Sequence, residues 1–305
     1  MVNNNRIKME DALKHLFDCE YNKLECTINS ISESLSIKYR KTINLVSKLE
    51  KLKLIKIYGS KLILTEEGKT YAIKIVRIHR LWERYLADHT SIEESEWHRL
   101  AELKEHDYDL LDVNRLSAKL GNPLIDPHGD PIPNKLGVFP KRDEIKLLDV
   151  TPGSSAQIIH IEDEPKEVYK QLTNLRLHPG TQINILESNC EMIKLFADGS
   201  EVVLNSILAN QISVILIAEY KHDSQLITLS SLESGEVAYV VRLSNGLRGQ
   251  QRRRLLDFGI VPGTKITATL QSLGGDPKAF EVRGSIIALR KNQSDLIFVK
   301  PNTNN

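Results

Sequence analysis

The 305-residue sequence lacks several features that mark whole classes of protein. It has only three cysteines, Cys19, Cys26 and Cys190, and no C-x-x-C spacing. We therefore expect neither a disulfide framework nor a thiolate zinc site, and we expect reduced, mostly buried thiols. No apolar run reaches 18 residues, and the first residues lack the apolar core of a signal peptide. A cytoplasmic protein without membrane insertion is the expectation.

The composition shows no bias toward a fibrous or disordered class. Hydrophobic residues make up 41% of the chain and charged residues 27%, with 16 glycines and 11 prolines. These values are those of an ordinary globular protein, and the length is enough for several domains, each with its own core. The collagen-like, low-complexity and disordered classes are excluded.

The chain also lacks a large net charge, because it has 41 basic and 40 acidic residues. The distribution is uneven, however. Residues 36–61 hold eight basic residues and one carboxylate, a net charge of +7, whereas residues 76–125 hold seven basic residues and ten carboxylates, a net charge of −3. A concentrated basic segment can neutralise phosphates and release counterions even in a neutral chain. A lysine-rich helix that merely faces solvent is the alternative.

The first 65 residues match the pattern of a winged helix-turn-helix. Apolar spacing predicts helices over 6–18, 27–35 and 38–51, the last with Ile43, Val46 and Leu49 facing inward. Two apolar segments around Gly59-Ser60 predict a hairpin, which would be the wing. In such a fold the third helix enters the major groove of DNA. The residues expected to contact double-stranded DNA are Lys38, Tyr39, Arg40, Lys41, Thr42, Lys48, Lys56 and Lys61.

Metal-ligating residue types recur at helical spacing in the middle of the chain. Helices are predicted over 69–87 and over about 93–109, each with imidazoles and carboxylates on one face. Such groups together suit a divalent transition metal. A solvated acidic face is the alternative, and the absence of H-E-x-x-H disfavours a hydrolytic site. The candidate ligands on the two helices are His79, Glu83, His98, Glu102, Glu105 and His106.

Short strand-like segments replace helices from residue 143 onward, and they occur twice. The tripeptides Pro179-Gly180-Thr181 and Pro262-Gly263-Thr264 lie 83 residues apart, with similar apolar segments around each. This predicts an internal duplication of a small β-barrel. Arg252-Arg253-Arg254 in the second copy is expected on a surface helix rather than on DNA.

The chain resembles the metal-dependent transcriptional regulators of the diphtheria toxin repressor and manganese transport regulator type. The resemblance covers about residues 6–218 and is sharpest in four segments, 9–11, 78–83, 97–106 and 120–133. Both C-terminal modules are similar to the FeoA-type, SH3-like domain. The resemblance implies a multidomain α+β fold: a winged helix-turn-helix over 1–70, an all-α metal-binding and dimerisation domain over 71–138, and SH3-like β-barrels over 139–222 and 223–305.

The same resemblance implies two metal sites. An activating site would use Asp11, Glu102, Glu105 and His106. An ancillary site would use His79, Glu83 and His98, and Glu164 or Glu167 could add a ligand to it. Asp11 and Glu102 supply hard oxygen where iron-type members carry sulfur, which favours Mn²⁺ or Fe²⁺, although other divalent metals can bind such groups in vitro. Lys14 replaces a carboxylate of the manganese-type members, which argues against their two-metal cluster.

The function implied is that of a homodimeric, metal-activated regulator, not an enzyme, which binds a DNA operator and represses metal-uptake genes. Two alternatives remain open. The chain could respond to a signal other than a metal, or it could act as an accessory protein of ferrous iron transport, with a protein partner for its second FeoA-type domain.

Overall fold

A computed structural model describes residues 4–108, 110–218 and 226–302. The described residues form two compact units, one from residues up to 85 together with 96–141, the other from 86–95 together with 142 onward. Two sequence expectations lie outside the described residues: the end of the second middle helix at Asp109, and the domain boundary between 222 and 223. Within the described ranges, every helix is too short or too polar to cross a membrane.

A winged helix-turn-helix opens the first unit, as the sequence predicts. Its elements are α1 (Asn4–Tyr21), α2 (Ile28–Ser34), α3 (Tyr39–Lys51), β1 (Ile55–Tyr58) and β2 (Lys61–Leu64), with β1 and β2 forming an antiparallel hairpin. Thr27 and Ser30 cap α2 reciprocally, which satisfies backbone N–H groups at its first turn. Ser36 adopts a left-handed φ of 50° between α2 and α3, so the chain turns sharply there.

The core of this region joins α1 to the helix-turn-helix. Leu13, Leu16 and Phe17 of α1 pack in one cluster with Ile31 of α2 and Val46 of α3. One expectation for α3 is wrong: Ile43 is 42% exposed, and Leu45 is buried instead. Thr42 and Leu45 therefore take the place of Ile43 on the inward stripe, whereas Val46 and Leu49 are buried as expected.

Three further helices follow: α4 (Glu66–His89), α5 (Trp97–Lys104) and α6 (Leu110–Lys119). Thr65 caps α4, since its hydroxyl accepts a hydrogen bond from the Gly68 amide at 3.0 Å. The start of α4 lies so close to β1 that a Cβ on Gly68 would sit 1.8 Å from the Leu54 carbonyl oxygen, so this position requires glycine.

The single helix expected over 93–109 is wrong. The chain instead forms a 3₁₀ turn (Glu94–Glu96), then α5, then a second 3₁₀ turn (Glu105–Asp107). The tighter second turn places Glu105 and His106 side by side in the interior, where both are buried. Tertiary contacts of these two polar side chains therefore override the helical periodicity.

Two six-stranded antiparallel sheets form the C-terminal part of the chain. The first contains β3 (Ile145–Lys146), β4 (Ser155–Ile161), β5 (Gln182–Ser188), β6 (Met192–Ala197), β7 (Ser200–Asn205) and β8 (Ile212–Leu216), with α7 (Lys166–Asn174) and α8 (Ser206–Asn210). The second contains β9 (Ile227–Thr228), β10 (Val237–Leu243), β11 (Lys265–Gln271), β12 (Lys278–Val282), β13 (Ser285–Leu289) and β14 (Ile297–Pro301), with α9 (Gly249–Asp257) and α10 (Lys291–Ser294).

The two sheets confirm the duplication in topology and in register. The strand orders are β3-β8-β4-β5-β6-β7 and β9-β14-β10-β11-β12-β13. The pairing register also shifts at corresponding points, between Ile185 and Glu187 in the first sheet and between Ala268 and Leu270 in the second. Each sheet encloses its own apolar core, and the three consecutive arginines lie exposed on α9, as expected.

The core of the second sheet gives a stability prediction. Phe280 is fully buried there, and Phe280→Ala is expected to destabilise this domain by about 3–5 kcal/mol, because the truncation leaves a cavity. Urea unfolding followed by hydrogen exchange in residues 227–301 measures the effect. Phe258, which is largely exposed, provides the matched control: Phe258→Ala is expected to cost less than about 1 kcal/mol.

Candidate metal centre

Three helices of the first unit bring imidazoles and carboxylates together. Glu10 lies on the buried stripe of α1 with Leu13 and Phe17, and His79 and Glu83 lie one turn apart on the buried side of α4. The 3₁₀ turn after α5 supplies two further buried groups, Glu105 and His106. Charged groups in such positions need partners, because an unpaired buried charge is strongly destabilising.

One group of ligand atoms, the primary cluster, consists of Asp11, Glu105 and His106. One donor atom from each residue lies within 4.8 Å of the other two. The Nε2 atom of His106 is 3.1 Å from an Asp11 carboxylate oxygen and 3.7 Å from a Glu105 oxygen. The cluster thus draws one residue from α1 and two from the turn after α5.

Glu10 orients the histidine of the primary cluster. Its carboxylate accepts a hydrogen bond of 2.6 Å from His106 Nδ1, which leaves Nε2 facing Asp11. Tyr71 and Arg6 donate to the other Glu10 oxygen at 2.5 and 2.7 Å. A carboxylate that holds the far nitrogen of a ligating imidazole fixes the orientation of the ring. Sequence reasoning missed this role, although a glutamate on the apolar stripe of α1 is the signal that reveals it.

A second group, the ancillary cluster, consists of His79, Glu83 and His98. A Glu83 carboxylate oxygen lies 3.1 Å from His79 Nε2 and 3.2 Å from His98 Nδ1, and the two imidazole nitrogens are 3.3 Å apart. His79 and Glu83 are buried, whereas His98 is partly exposed. The structure therefore brings together the three residues that the family resemblance assigns to an ancillary site.

Direct contacts connect the two clusters. His79 Nδ1 is 2.5 Å from the Glu105 carboxylate, so one imidazole touches both groups. Glu102 does not join Asp11 in the primary cluster. It is 48% exposed and its carboxylate lies 3.5 Å from His98 Nε2, between the clusters.

Lys14 places an ammonium group in the same network. Its Nζ atom is 3.1 Å from one Glu105 oxygen, 3.2 Å from the other, and 3.4 Å from Glu102. Burial alone lowers the pKa of Lys14, but the charges of Glu105 and Glu102 outweigh this effect and raise the pKa above its ordinary value. Lys14 is therefore a resident cation beside the carboxylates.

These carboxylates are ionised despite their surroundings. Burial raises the pKa of Glu105, but the charges of Lys14 and His79 outweigh it and lower the pKa below its ordinary value. The hydrogen bond with His98, opposed by burial and supported by the charge of Lys14, lowers the pKa of Glu102 to about 2. Ionised oxygens are the form that binds a cation.

The loop after α6 supports Glu83. His128 Nδ1 lies 3.8 Å from the second Glu83 oxygen, and His128 is held in place because Asp126 accepts hydrogen bonds from the backbone amides of His128 and Asp130. Burial raises the pKa of Glu83, but the charges of His79 and His128 lower it well below its ordinary value. The sequence marked this loop as a family signature without assigning His128 a role.

The donor set fits a divalent transition metal. Each cluster offers only carboxylate oxygens and imidazole nitrogens, most of them buried, with the atoms of each cluster mutually within 4.8 Å. These are the ligands that Mn²⁺, Fe²⁺, Co²⁺, Ni²⁺ and Zn²⁺ accept. Glu164 and Glu167 belong to the other compact unit, where both side chains are exposed.

The residues expected to contact DNA lie at two places in the winged helix-turn-helix. Lys38 precedes α3, and Lys56 and Lys61 lie on the hairpin. All are exposed with one exception: Thr42 is fully buried, so its side chain cannot reach DNA. The residues that remain exposed are Lys38, Tyr39, Arg40, Lys41, Lys48, Lys56 and Lys61.

The environment of His106 gives a pH prediction for the metal-free protein. Burial lowers the pKa of His106, but hydrogen bonds to Asp11 and Glu10 and the charge of Glu105 raise it to about 9. Because the folded pKa exceeds the unfolded value of about 6.5, the stabilisation is complete below pH 6.5 and is lost as the pH rises to 9. An NMR titration of the imidazole measures this, and Asp11→Asn is expected to lower the pKa. An unchanged pKa in Asp11→Asn would contradict the assignment.

Comparisons with known proteins agree with this geometry. Residues 65–134 match the family described as iron dependent repressor, metal binding and dimerisation domain, and residues 145–216 and 227–301 each match the FeoA domain. The chain is 31% identical over 158 residues to the iron-dependent repressor IdeR of Mycobacterium tuberculosis, covering 49% of this chain and 69% of IdeR. It is 27% identical over 161 residues to the diphtheria toxin repressor of Corynebacterium efficiens, covering 50% and 70%.

A solved structure is similar as well. A manganese-dependent transcriptional repressor in complex with manganese superposes with a TM-score of 0.64 at 26% identity, covering 68% of this chain and 100% of that chain. Members of this family bind DNA operators and dimerise through the domain that residues 65–134 match. The chain belongs to the family of IdeR and the diphtheria toxin repressor, and is therefore a metal-dependent transcriptional repressor, not an enzyme, with two C-terminal FeoA domains.

Proposed function

We propose that this repressor is activated by Mn²⁺ or Fe²⁺ bound through Asp11, Glu105 and His106, with the exposed Glu102 turning from His98 to add a fourth ligand. As a dimer it represses metal-uptake genes. The proposal rests on one observation: the candidate ligands come from two different regions of the chain. Asp11 belongs to the helix that packs on the helix-turn-helix, whereas Glu105 and His106 belong to the dimerisation domain.

The position of α1 connects the metal centre with the DNA-binding elements. Leu16 of α1 packs in one core with Ile31 of α2 and Val46 of α3, so a shift of α1 carries the recognition helix with it. When bound, the cation supplies a positive charge shared by ligands of both regions. Asp11 then keeps α1 at one position relative to Glu105 and His106, which selects one spacing of the two recognition helices in the dimer.

The choice of metal follows from the donor atoms. Asp11, Glu102 and Glu105 offer oxygen and His106 offers nitrogen, a set without sulfur that suits Mn²⁺ and Fe²⁺. We assign His79, Glu83 and His98 to an ancillary metal site. Its contact with Glu105 through His79 lets occupancy of one site stabilise the ligands of the other.

The proposed DNA surface consists of the exposed residues of α3 and the hairpin: Lys38, Tyr39, Arg40, Lys41, Lys48, Lys56 and Lys61. Residues 36–61 carry a net charge of +7, which matches a phosphate backbone. Tyr39 and Arg40 stand in the first turn of α3, the part of a recognition helix that reaches base edges.

The proposed dimer surface lies in the domain that residues 65–134 match. Leu103 is 62% exposed, and Leu111 and Leu124 are also largely exposed. Exposed leucines in one domain are expected where a second copy covers them. Two copies would present two α3 helices to half-sites about one turn of DNA apart.

Metal-dependent operator binding tests the proposal. A gel shift with DNA selected from a random pool is expected to show at least about tenfold tighter binding with Mn²⁺ or Fe²⁺ than without metal, since allosteric coupling is typically 1–3 kcal/mol. Glu105→Ala is expected to abolish this difference, because it removes a primary-cluster ligand. Glu201→Ala, a substitution of an exposed glutamate in the first FeoA domain, outside both clusters and the proposed DNA surface, serves as the control. Equal affinity with and without metal in the unaltered protein defeats the proposal.

Lys14 gives a second prediction, because its ammonium competes with a metal for Glu102 and Glu105. Lys14→Met is expected to lower the stability of the metal-free protein by about 3 kcal/mol, since it removes the ammonium that pairs with the buried Glu105 carboxylate. The same variant is expected to bind Mn²⁺ about tenfold more tightly in calorimetric titration, because the competing cation is gone. Lys8→Met on the same helix is the control. Weaker Mn²⁺ binding by Lys14→Met would show that the ammonium assists the metal rather than competing with it.

A further inference from the structure

A third group of potential ligands lies in the winged helix-turn-helix, apart from the two clusters already described. It consists of His15, Cys19 and Cys26, here called the sulfur cluster, and one donor atom from each lies within 4.8 Å of the other two. His15 Nε2 is 3.6 Å from Cys19 Sγ. None of these residues belongs to the primary or the ancillary cluster.

Local structure fixes the positions of all three side chains. His15 and Cys19 are four residues apart on α1, so they lie on the same side of that helix. Cys26 directly precedes Thr27, the N-cap of α2, and its carbonyl accepts a 3.0 Å hydrogen bond from the Leu62 amide of the hairpin. A cation at this place would bridge α1 to the first helix of the helix-turn-helix.

An oxygen atom completes the surroundings. Ser30 Oγ is 3.2 Å from His15 Nε2 and 3.4 Å from Cys26 Sγ. This serine belongs to the capping box of α2, which holds it in place. Two sulfurs, one imidazole nitrogen and one oxygen would give a bound cation four ligands, the number in a tetrahedral Cys₂His site with an added oxygen.

The protonation states of the metal-free cluster follow mainly from burial. Burial lowers the pKa of His15, so its imidazole is neutral, which is the ligating form. Burial, the neighbouring Cys26 and the carboxylates of Asp18 and Glu20 together raise the pKa of Cys19 to about 12. The metal-free cluster is therefore a neutral dithiol with acidic neighbours, rather than a reactive thiolate.

We propose that His15, Cys19 and Cys26 form a separate binding site for Zn²⁺. The two thiols lose their protons to solvent as the cation binds, and each sulfur then bonds to it. Sulfur donors distinguish this site from the oxygen-rich metal centre, so the chain takes up two chemically different metals. Zn²⁺ here ties the end of α1 to the start of α2 and stabilises the DNA-binding region whether or not Mn²⁺ or Fe²⁺ is present.

The test uses the full, reduced chain with Co²⁺ as a spectroscopic substitute for Zn²⁺. The expected result is a sulfur-to-cobalt charge-transfer absorption that saturates during the titration and disappears when Zn²⁺ is added, whereas Co²⁺ in the sulfur-free primary and ancillary clusters adds none. Cys19→Ser and Cys26→Ser are each expected to lose this absorption and to bind Zn²⁺ at least about 100-fold more weakly, since even partners of a ligand can be worth that much. Cys190→Ser is the matched control, because Cys190 is exposed and lies outside the cluster; it is expected to keep the absorption.

Two measurements keep the result decisive. The first is the charge-transfer absorption of the wild type and of Cys190→Ser, which the sulfur-free primary and ancillary clusters cannot produce, so the outcome does not depend on whether the other variants fold. Peptide mass analysis detects a Cys19–Cys26 disulfide. Absence of the charge-transfer absorption in the reduced wild type, its loss in Cys190→Ser, or formation of the disulfide without any Co²⁺ binding overturns the proposal.

Discussion

The contact between His79 and Glu105 is the interaction on which the N-terminal unit depends. It joins α4 to the turn after α5 at 2.5 Å, and through Lys14 and His106 the same carboxylate also reaches α1. Neither group could be buried alone, since an unpaired buried charge costs several kcal/mol. The positions of the three helices are therefore set by the need of each charge for a partner.

This constraint explains how a metal can control the position of α1. In the metal-free chain the carboxylates are balanced by the ammonium of Lys14 and by protons on imidazoles, such as that of His106. A divalent cation bound by the same oxygens and nitrogens competes with those charges. Because α1 shares its core with α2 and α3, replacing the ammonium and imidazole charges by a metal ion also affects the position of the DNA-binding surface.

The residue pattern predicted the local structure correctly wherever a single periodicity dominated a segment. The helices and hairpin of the winged helix-turn-helix, the placement of His79 and Glu83 on one side of α4 and the duplication of the FeoA modules were all predictable, because apolar spacing and turn residues act locally. It failed at Glu105 and His106, where buried polar contacts bend a helical segment into a 3₁₀ turn. The pattern also did not reveal that Thr42 and Glu10 are buried. The neighbouring element decides which residues of an amphipathic helix lie innermost.

The three cysteines show the same limit most clearly. Their spacing predicted buried thiols and no thiolate metal site, and Cys19 and Cys26 are buried. Only the folding of α1 against α2 places His15 beside both sulfurs. Local residue pattern was enough to identify the family, the order of its elements and most of the candidate metal ligands. Which of those residues meet depended on the fold, because distances between helices are set by packing and by the pairing of buried charges.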